Sequence, residues 1–246
     1  MDSVNLFAMV LALIGPPQTQ PATSEAEQGL KLKAGEQIVA IGDSITQAGG
    51  YLRVMDAVLA QQYPDLKIPK IINAGVGGHK AEDLVKRFEK DVISRKPAVV
   101  TISIGINDVW HRMDKPHDEK VLEEYGRNVE KMVRMAQDAK IRVFLVSPTV
   151  IEEDPRAEGN VRLAKYIALG KEIARRNKCE YVDLHALFLK AIEQNAKKAK
   201  GKRFLTTDGV HMLPPGDTLM AVGILRAMGM PDEKMKATDL TKVFVK

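Results

Sequence analysis

Residues 37–44 read Gln-Ile-Val-Ala-Ile-Gly-Asp-Ser, a β-branched run of strand length that breaks on Gly42 and enters a polar turn. A short, continuous apolar run bounded by turn residues suits a strand buried on both faces. Just downstream, residues 51–63 put Leu52, Met55, Val58 and Leu59 on one side of a helix. The same strand-then-helix rhythm recurs along the chain. Residues 68–75, 98–105, 142–148 and 180–184 read as further strands. Residues 81–95, 119–140, 160–177, 186–198 and 214–228 read as helices, the last with Pro214 suited to its first turn. Such alternation argues for parallel βαβ units with right-handed crossovers, an α/β fold. The charged tail, residues 231–246, is only weakly patterned, and a short strand through Val243-Phe244-Val245 is expected there.

Bulk properties narrow the class. The chain has 246 residues, 45% hydrophobic and 28% charged, which is ordinary usage for a globular domain and speaks against a disordered or fibrous chain. The formal net charge is +5, but the basic residues are dispersed. The densest cluster, at 197–203, has a glycine and no interleaved aromatics, so no nucleic-acid partner is expected. One cysteine, Cys179, allows neither an intrachain disulfide nor a thiolate metal cluster, and no histidine pair has metal-ligand spacing.

The first 30 residues differ from the rest. An apolar run at 6–15 precedes a polar stretch at 16–29, which resembles a secretory signal and linker, although Asp2 stands where a positive charge is usual. The expected organisation is therefore a signal-like segment and linker at 1–30, a main domain at 31–230 and a tail at 231–246. Export to the periplasm or beyond is the expected location, with the cytoplasm as the alternative. No stretch approaches the roughly 20 apolar residues that a stable membrane span needs.

In open parallel sheets, ligands sit at the carboxyl ends of the strands. Small polar groups gather there. Gly42-Asp43-Ser44 follows the first strand, Asn73-Ala74-Gly75-Val76-Gly77-Gly78 the second, and Gly105-Ile106-Asn107-Asp108 the third; Asp208-Gly209-Val210-His211 precedes the last helix. Ser44 at a strand-to-helix turn fits a nucleophile, and fits a helix N-cap equally well. His211 three residues after Asp208 lets a carboxylate orient the imidazole, although a surface pair has the same spacing. Gly78 can bring a backbone N–H close to substrate, and Asn107 can donate its amide; each also suits a plain turn. Trp110, His111 and His79 lie beside these blocks as candidate pocket residues, or as loop anchors.

Four such blocks in this order resemble the GDSL/SGNH hydrolases, over about residues 37–228. The resemblance implies a three-layer α/β/α fold with a five-stranded parallel sheet. It implies Ser44 as nucleophile, His211 as base, Asp208 as its orienting acid, and an oxyanion hole from the Ser44 and Gly78 N–H groups and the Asn107 side chain. It implies no metal or organic cofactor. Ile45 replaces the leucine of the name-giving motif, and Leu213 stands where many relatives have a polar residue. Choosing Gly78 over Gly75 is a choice of register. The loops at 109–118 and 150–159 are polar rather than lid-like, so the expected substrate is a short acyl ester, acetyl above all, of a carbohydrate or other small polar alcohol. Lysophospholipid or thioester cleavage, and a non-catalytic binding module on the same fold, are the alternatives.

Overall fold

A computed structural model describes residues 6–16 and 29–244. Five strands, β1 (Ile38–Gly42), β2 (Ile72–Gly75), β3 (Val99–Ser103), β4 (Arg142–Val146) and β5 (Glu180–Val182), form one sheet in the order β2-β1-β3-β4-β5. Every pairing is parallel. β1 lies between β2 and β3 and is buried along its whole length, as its unbroken apolar run requires.

The helices are α1 (Leu6–Ile14), α2 (Ser44–Ala48), α3 (Gly50–Gln62), α4 (Ala81–Asp91), α5 (Ile106–Trp110), α6 (Glu119–Asp138), α7 (Glu158–Asn177), α8 (Leu184–Ala199), α9 (Pro214–Ala227) and α10 (Asp232–Lys236). α4, α6 and α7 pack side by side, as do α3, α9 and α8, with the sheet between the two groups. This is the expected three-layer α/β/α arrangement. The amphipathic stripes explain the outer helices: in α6, Val129, Met132, Val133 and Ala136 face inward. α9 is instead apolar almost all round and buried from Gly216 to Leu225. It touches α3, α8, β5 and α1 together, which leaves it no wet face.

Three features add to or depart from the sequence reading. The apolar run at 6–15 forms α1, which lies against α8 and α9 with Phe7, Val10, Leu11 and Ile14 buried. Its last turn is tied down by Arg226, which donates to the Gly15 carbonyl at 2.8 Å while paired with Asp232. One-turn helices, α2 and α5, follow β1 and β3 where only turns were expected. Val243 and Phe244 lie in a turn rather than a strand; Val245 lies outside the described residues. The sheet consists of β1 to β5 without them, and three apolar residues between lysines are too short an apolar run to fix a further edge strand. Among the described residues, no helix is long and apolar enough to cross a membrane.

With strand order 2-1-3-4-5, chain direction away from β1 reverses between β1 and β3. That is where such sheets open a crevice at their carboxyl ends. Ser44 follows β1 and Asn107 follows β3, so both stand at its mouth.

Candidate active site

Ser44 is the first residue of α2, and Asp43, not Ser44, caps that helix: its carboxylate accepts from Ile45 N–H at 3.0 Å. The capping alternative for Ser44 thus fails because a better acceptor precedes it. Freed from that work, the Ser44 hydroxyl reaches His211 Nε2 at 2.9 Å. The turn is possible because two glycines let residues of α2 approach the strand ends closely. A Cβ on Gly42 would stand 2.1 Å from Thr46 Oγ1, and one on Gly75 would stand 2.1 Å from Gln47 N.

His211 and Asp208 sit on the loop between α8 and α9. Asp208 Oδ2 meets His211 Nδ1 at 2.7 Å, while Oδ1 accepts from Val210 N–H at 3.0 Å and His211 N–H at 2.8 Å. Burial pushes the Asp208 carboxyl up, but these bonds from the His211 main chain and ring and from Val210 outweigh it and hold it at about 2. Asp208 is therefore ionised at neutral pH. An ionised carboxylate can only accept, so Nδ1 carries a proton and Nε2 is the acceptor that faces the Ser44 O–H. Side-chain exposure is 35% for His211 and 46% for Asp208, so the site is an open rim and not a tunnel.

Besides Ser44, the candidate oxyanion donors follow β2 and β3. The Gly75 N–H is taken by Asn73 Oδ1 at 2.9 Å, and the Gly77 N–H by Gln47 Oε1 at 2.9 Å. The Gly78 N–H meets no acceptor among the described residues, and Gly78 has φ +76, which favours glycine. Of the three glycines, only Gly78 thus has its N–H open for a ligand. Gly77 lies against Ser44, since a Cβ built on it would stand 3.8 Å from Ser44 Cβ. Asn107 is buried, and its amide donates to the His79 carbonyl at 3.0 Å, leaving a second amide hydrogen. Ser44, at the first position of its helix, has no intrahelical acceptor for its own N–H.

Trp110 meets the His211 ring edge-on, with centroids 5.8 Å apart, and His111 at 5.6 Å. His111 in turn faces Gly78, where a Cβ would come within 3.9 Å of its ring. His79 Nδ1 accepts from Arg87 Nε at 3.2 Å. All the residues singled out in the sequence thus converge on one rim. Asp43 and Asp108 lie beneath it: burial raises the first carboxyl to about 6 and the second to about 7. Asp108 ties the Asn107 loop to the start of α4 by accepting from Ala81 N–H at 3.3 Å.

Arg87 was not singled out. It donates to the Gly42 carbonyl at 2.9 Å, the Ala74 carbonyl at 2.8 Å and Asp91 at 2.7 Å, so it joins the ends of β1 and β2 to His79. The one signal in the sequence is an i,i+4 Arg-Asp pair beside the apolar stripe Leu84, Phe88, and many exposed helices have that.

Residues 40–218 match the GDSL-like lipase/acylhydrolase family model. An acetylxylan esterase of Geobacillus stearothermophilus is 30% identical over 218 residues, 81% of this chain and 97% of that protein. Its crystal structure superposes with a TM-score of 0.72 over 82% of this chain and 98% of that one, at 30% identity. Solved catalytic mutants of that enzyme replace a serine, an aspartate or a histidine with alanine. An uncharacterised lipoprotein of Bacillus subtilis is 26% identical, over 77% of this chain and 88% of that protein. A rat isoamyl acetate-hydrolysing esterase homologue is 24% identical, over 75% and 78%.

Proposed function

The chain belongs to the GDSL-like lipase/acylhydrolase family and is a carboxylic ester hydrolase, and from that premise we propose that Ser44, His211 and Asp208 cleave acetyl esters of carbohydrates through an acyl-enzyme. The observation that carries the mechanism is the 2.9 Å approach of Ser44 Oγ to His211 Nε2, with Nδ1 held by an ionised Asp208. His211 takes the hydroxyl proton as Oγ attacks the ester carbonyl. The resulting oxyanion takes hydrogen bonds from the Ser44 and Gly78 N–H groups and from the free amide hydrogen of Asn107. Collapse expels the alcohol, which takes the proton from His211 and leaves acetyl on Ser44. Water, deprotonated by His211, then attacks the acetyl carbonyl; acetate departs and Ser44 regains its proton.

Two observations support the substrate class. The exposed rim of His211 and Asp208 leaves room for a bulky polar alcohol. Two relatives bear names that refer to acetyl esters, an acetylxylan esterase and a homologue of an isoamyl acetate-hydrolysing esterase. Ser44→Ala abolishes hydrolysis of an activated acetyl ester with the fold intact; retention of most activity would end the mechanism. A panel of esters from acetate to palmitate, run beside acetylated xylo-oligosaccharides, tests the substrate class, and a preference for long acyl chains would reject it in favour of a lysophospholipase- or thioesterase-type activity.

We also assign the protein to the outside of the cytoplasm. The apolar run and polar stretch at 6–29 support export, and one relative is named a lipoprotein. The burial of Phe7, Val10 and Ile14 supports a first helix that stays with the folded protein. Intact mass of protein recovered from the periplasm or medium decides both points: protein found only in the cytosol rejects export, and a mass lacking residues 6–14 rejects retention.

A further inference from the structure

Asp208 and His211 are presented by a loop, residues 204–213, with little regular structure of its own. Its limbs are tied by Thr207 N–H to the His211 carbonyl at 2.8 Å, by Leu213 N–H to the Leu205 carbonyl at 2.8 Å, and by an antiparallel bridge between Thr206 and Met212. These bonds set the shape of the loop but not its position relative to β1 and Ser44.

A side chain from elsewhere ties the stem of the loop to the rest of the fold. Glu153, between β4 and α7, accepts from the N–H groups of Phe204 at 3.0 Å, Leu205 at 2.9 Å and Thr206 at 2.7 Å, and from the Thr206 hydroxyl at 2.7 Å. Four donors on one carboxylate make a charge-assisted clamp on the stem of the loop. Glu153 is itself held. The buried Asn160 accepts from Ile151 N–H at 2.9 Å and donates to the carbonyls of Glu152 at 3.1 Å and Asp154 at 2.7 Å, which pins the 151–154 turn to α7. A second tie crosses nearby, from Glu152 N–H to the Gly209 carbonyl at 2.9 Å.

We propose that Glu153 is a positioning residue for ester hydrolysis, holding the 204–213 loop so that Asp208 and His211 stay in register with Ser44. The inference rests on the catalytic reading of those three residues. Its physical basis is that misplacing a catalytic group by about 1 Å costs on the order of 10²-fold in rate. Glutamine cannot replace the carboxylate: with its oxygen on Leu205 and Thr206, its NH₂ faces the Phe204 N–H, donor against donor.

The test compares Glu153→Gln, Thr206→Val, Asp154→Asn and Ser44→Ala in the full chain. The readouts are kcat per site titrated with a fluorophosphonate, KM for an aryl acetate, and Tm. Glu153→Gln lowers kcat per titrated site by about 10- to 100-fold while KM stays within about twofold. Thr206→Val removes one of the four donors and lowers kcat per titrated site by a smaller factor. Asp154→Asn removes an exposed carboxylate one residue away and changes kcat by less than about twofold. A Glu153→Gln protein with lowered Tm but unchanged kcat per titrated site overturns the proposal, since that is what a purely structural clamp produces. If Glu153→Gln does not fold, Thr206→Val decides, and an unchanged kcat per titrated site overturns the proposal. Activity surviving in Ser44→Ala would instead refute the catalytic reading, whereas an inactive Ser44→Ala beside unaffected Glu153 variants would refute this inference alone.

Discussion

Replacing Asp208 with asparagine removes a charge and almost no volume, so it separates the electrostatics of the carboxylate from its shape. Oδ1 accepts from two backbone N–H groups, Val210 and His211, and Oδ2 from the His211 ring. Asparagine keeps one carbonyl oxygen, which the two backbone donors claim, and so its NH₂ falls opposite Nδ1. Nδ1 must then accept, the ring proton moves to Nε2, and the base faces Ser44 with a hydrogen already in place. In other triad enzymes this wrong tautomer lowers kcat about 10⁴-fold, equivalent to about 5.5 kcal/mol. The stability cost is far smaller. The carboxyl is held at about 2 against an ordinary 3.8, which at about 1.36 kcal/mol per pH unit is roughly 2 kcal/mol. With 46% of the side chain exposed, solvent screening brings this to about 1 kcal/mol. The assay is steady-state hydrolysis of 4-nitrophenyl acetate beside thermal melting. Asp208→Asn melts within a few degrees of the parent protein yet loses almost all turnover. A variant keeping more than about a tenth of the parent kcat would refute the reasoning, since the tautomer argument requires a loss orders of magnitude larger.

Asn107→Ala removes the side-chain donor proposed for the oxyanion and lowers kcat by about 10²–10³ with little change in KM; a change in KM alone would place Asn107 in binding rather than in stabilising the oxyanion. Gly75→Ala puts a Cβ 2.1 Å from Gln47 N and 2.5 Å from Thr46 C, both backbone atoms of α2. That helix must shift, so the urea midpoint falls by an amount worth more than about 2 kcal/mol, and an unchanged midpoint contradicts the packing described. Burial raises Asp108 from 3.8 to about 7, so between these values the folded state binds more protons than the unfolded one and this group's contribution to stability falls as pH rises. Asp108→Asn lacks that slope, and its stability relative to the parent therefore climbs between pH 4 and 7; a pH-independent difference would show that the carboxyl titrates normally.

Much of this was legible because it depends on period and order. Largely apolar runs marked β1, β3 and β4, and i, i+3, i+4 stripes marked α3, α4 and α6. The blocks at Gly42–Ser44, Asn73–Gly78, Gly105–Asp108 and Asp208–His211 stand after β1, β2 and β3 and before α9, where the topology brings them together. Gly78 is chosen over Gly75 in the sequence as a matter of register, and what the sequence does not carry is the pair of hydrogen bonds, from Gly75 to Asn73 and from Gly77 to Gln47, that occupies the other two N–H groups. α2 and α5 escaped notice because five residues are too few for a helical period to appear. The run at 6–15 is too short to span a bilayer, and nothing in it distinguishes a leader from a helix docked on α8 and α9. Glu153 and Arg87 bind backbone atoms distant in sequence, and a side chain serving main-chain groups 50 residues away leaves no local pattern.

The central claim is that Ser44 carries the acyl group during turnover. Acid quenching of the protein in the steady state with an aryl acetate, followed by peptide mass mapping, tests it directly. The account predicts one acetyl group on the peptide containing Ser44, absent from Ser44→Ala. An unmodified Ser44 in actively turning-over protein, or acetyl on another side chain that survives in Ser44→Ala, would contradict it.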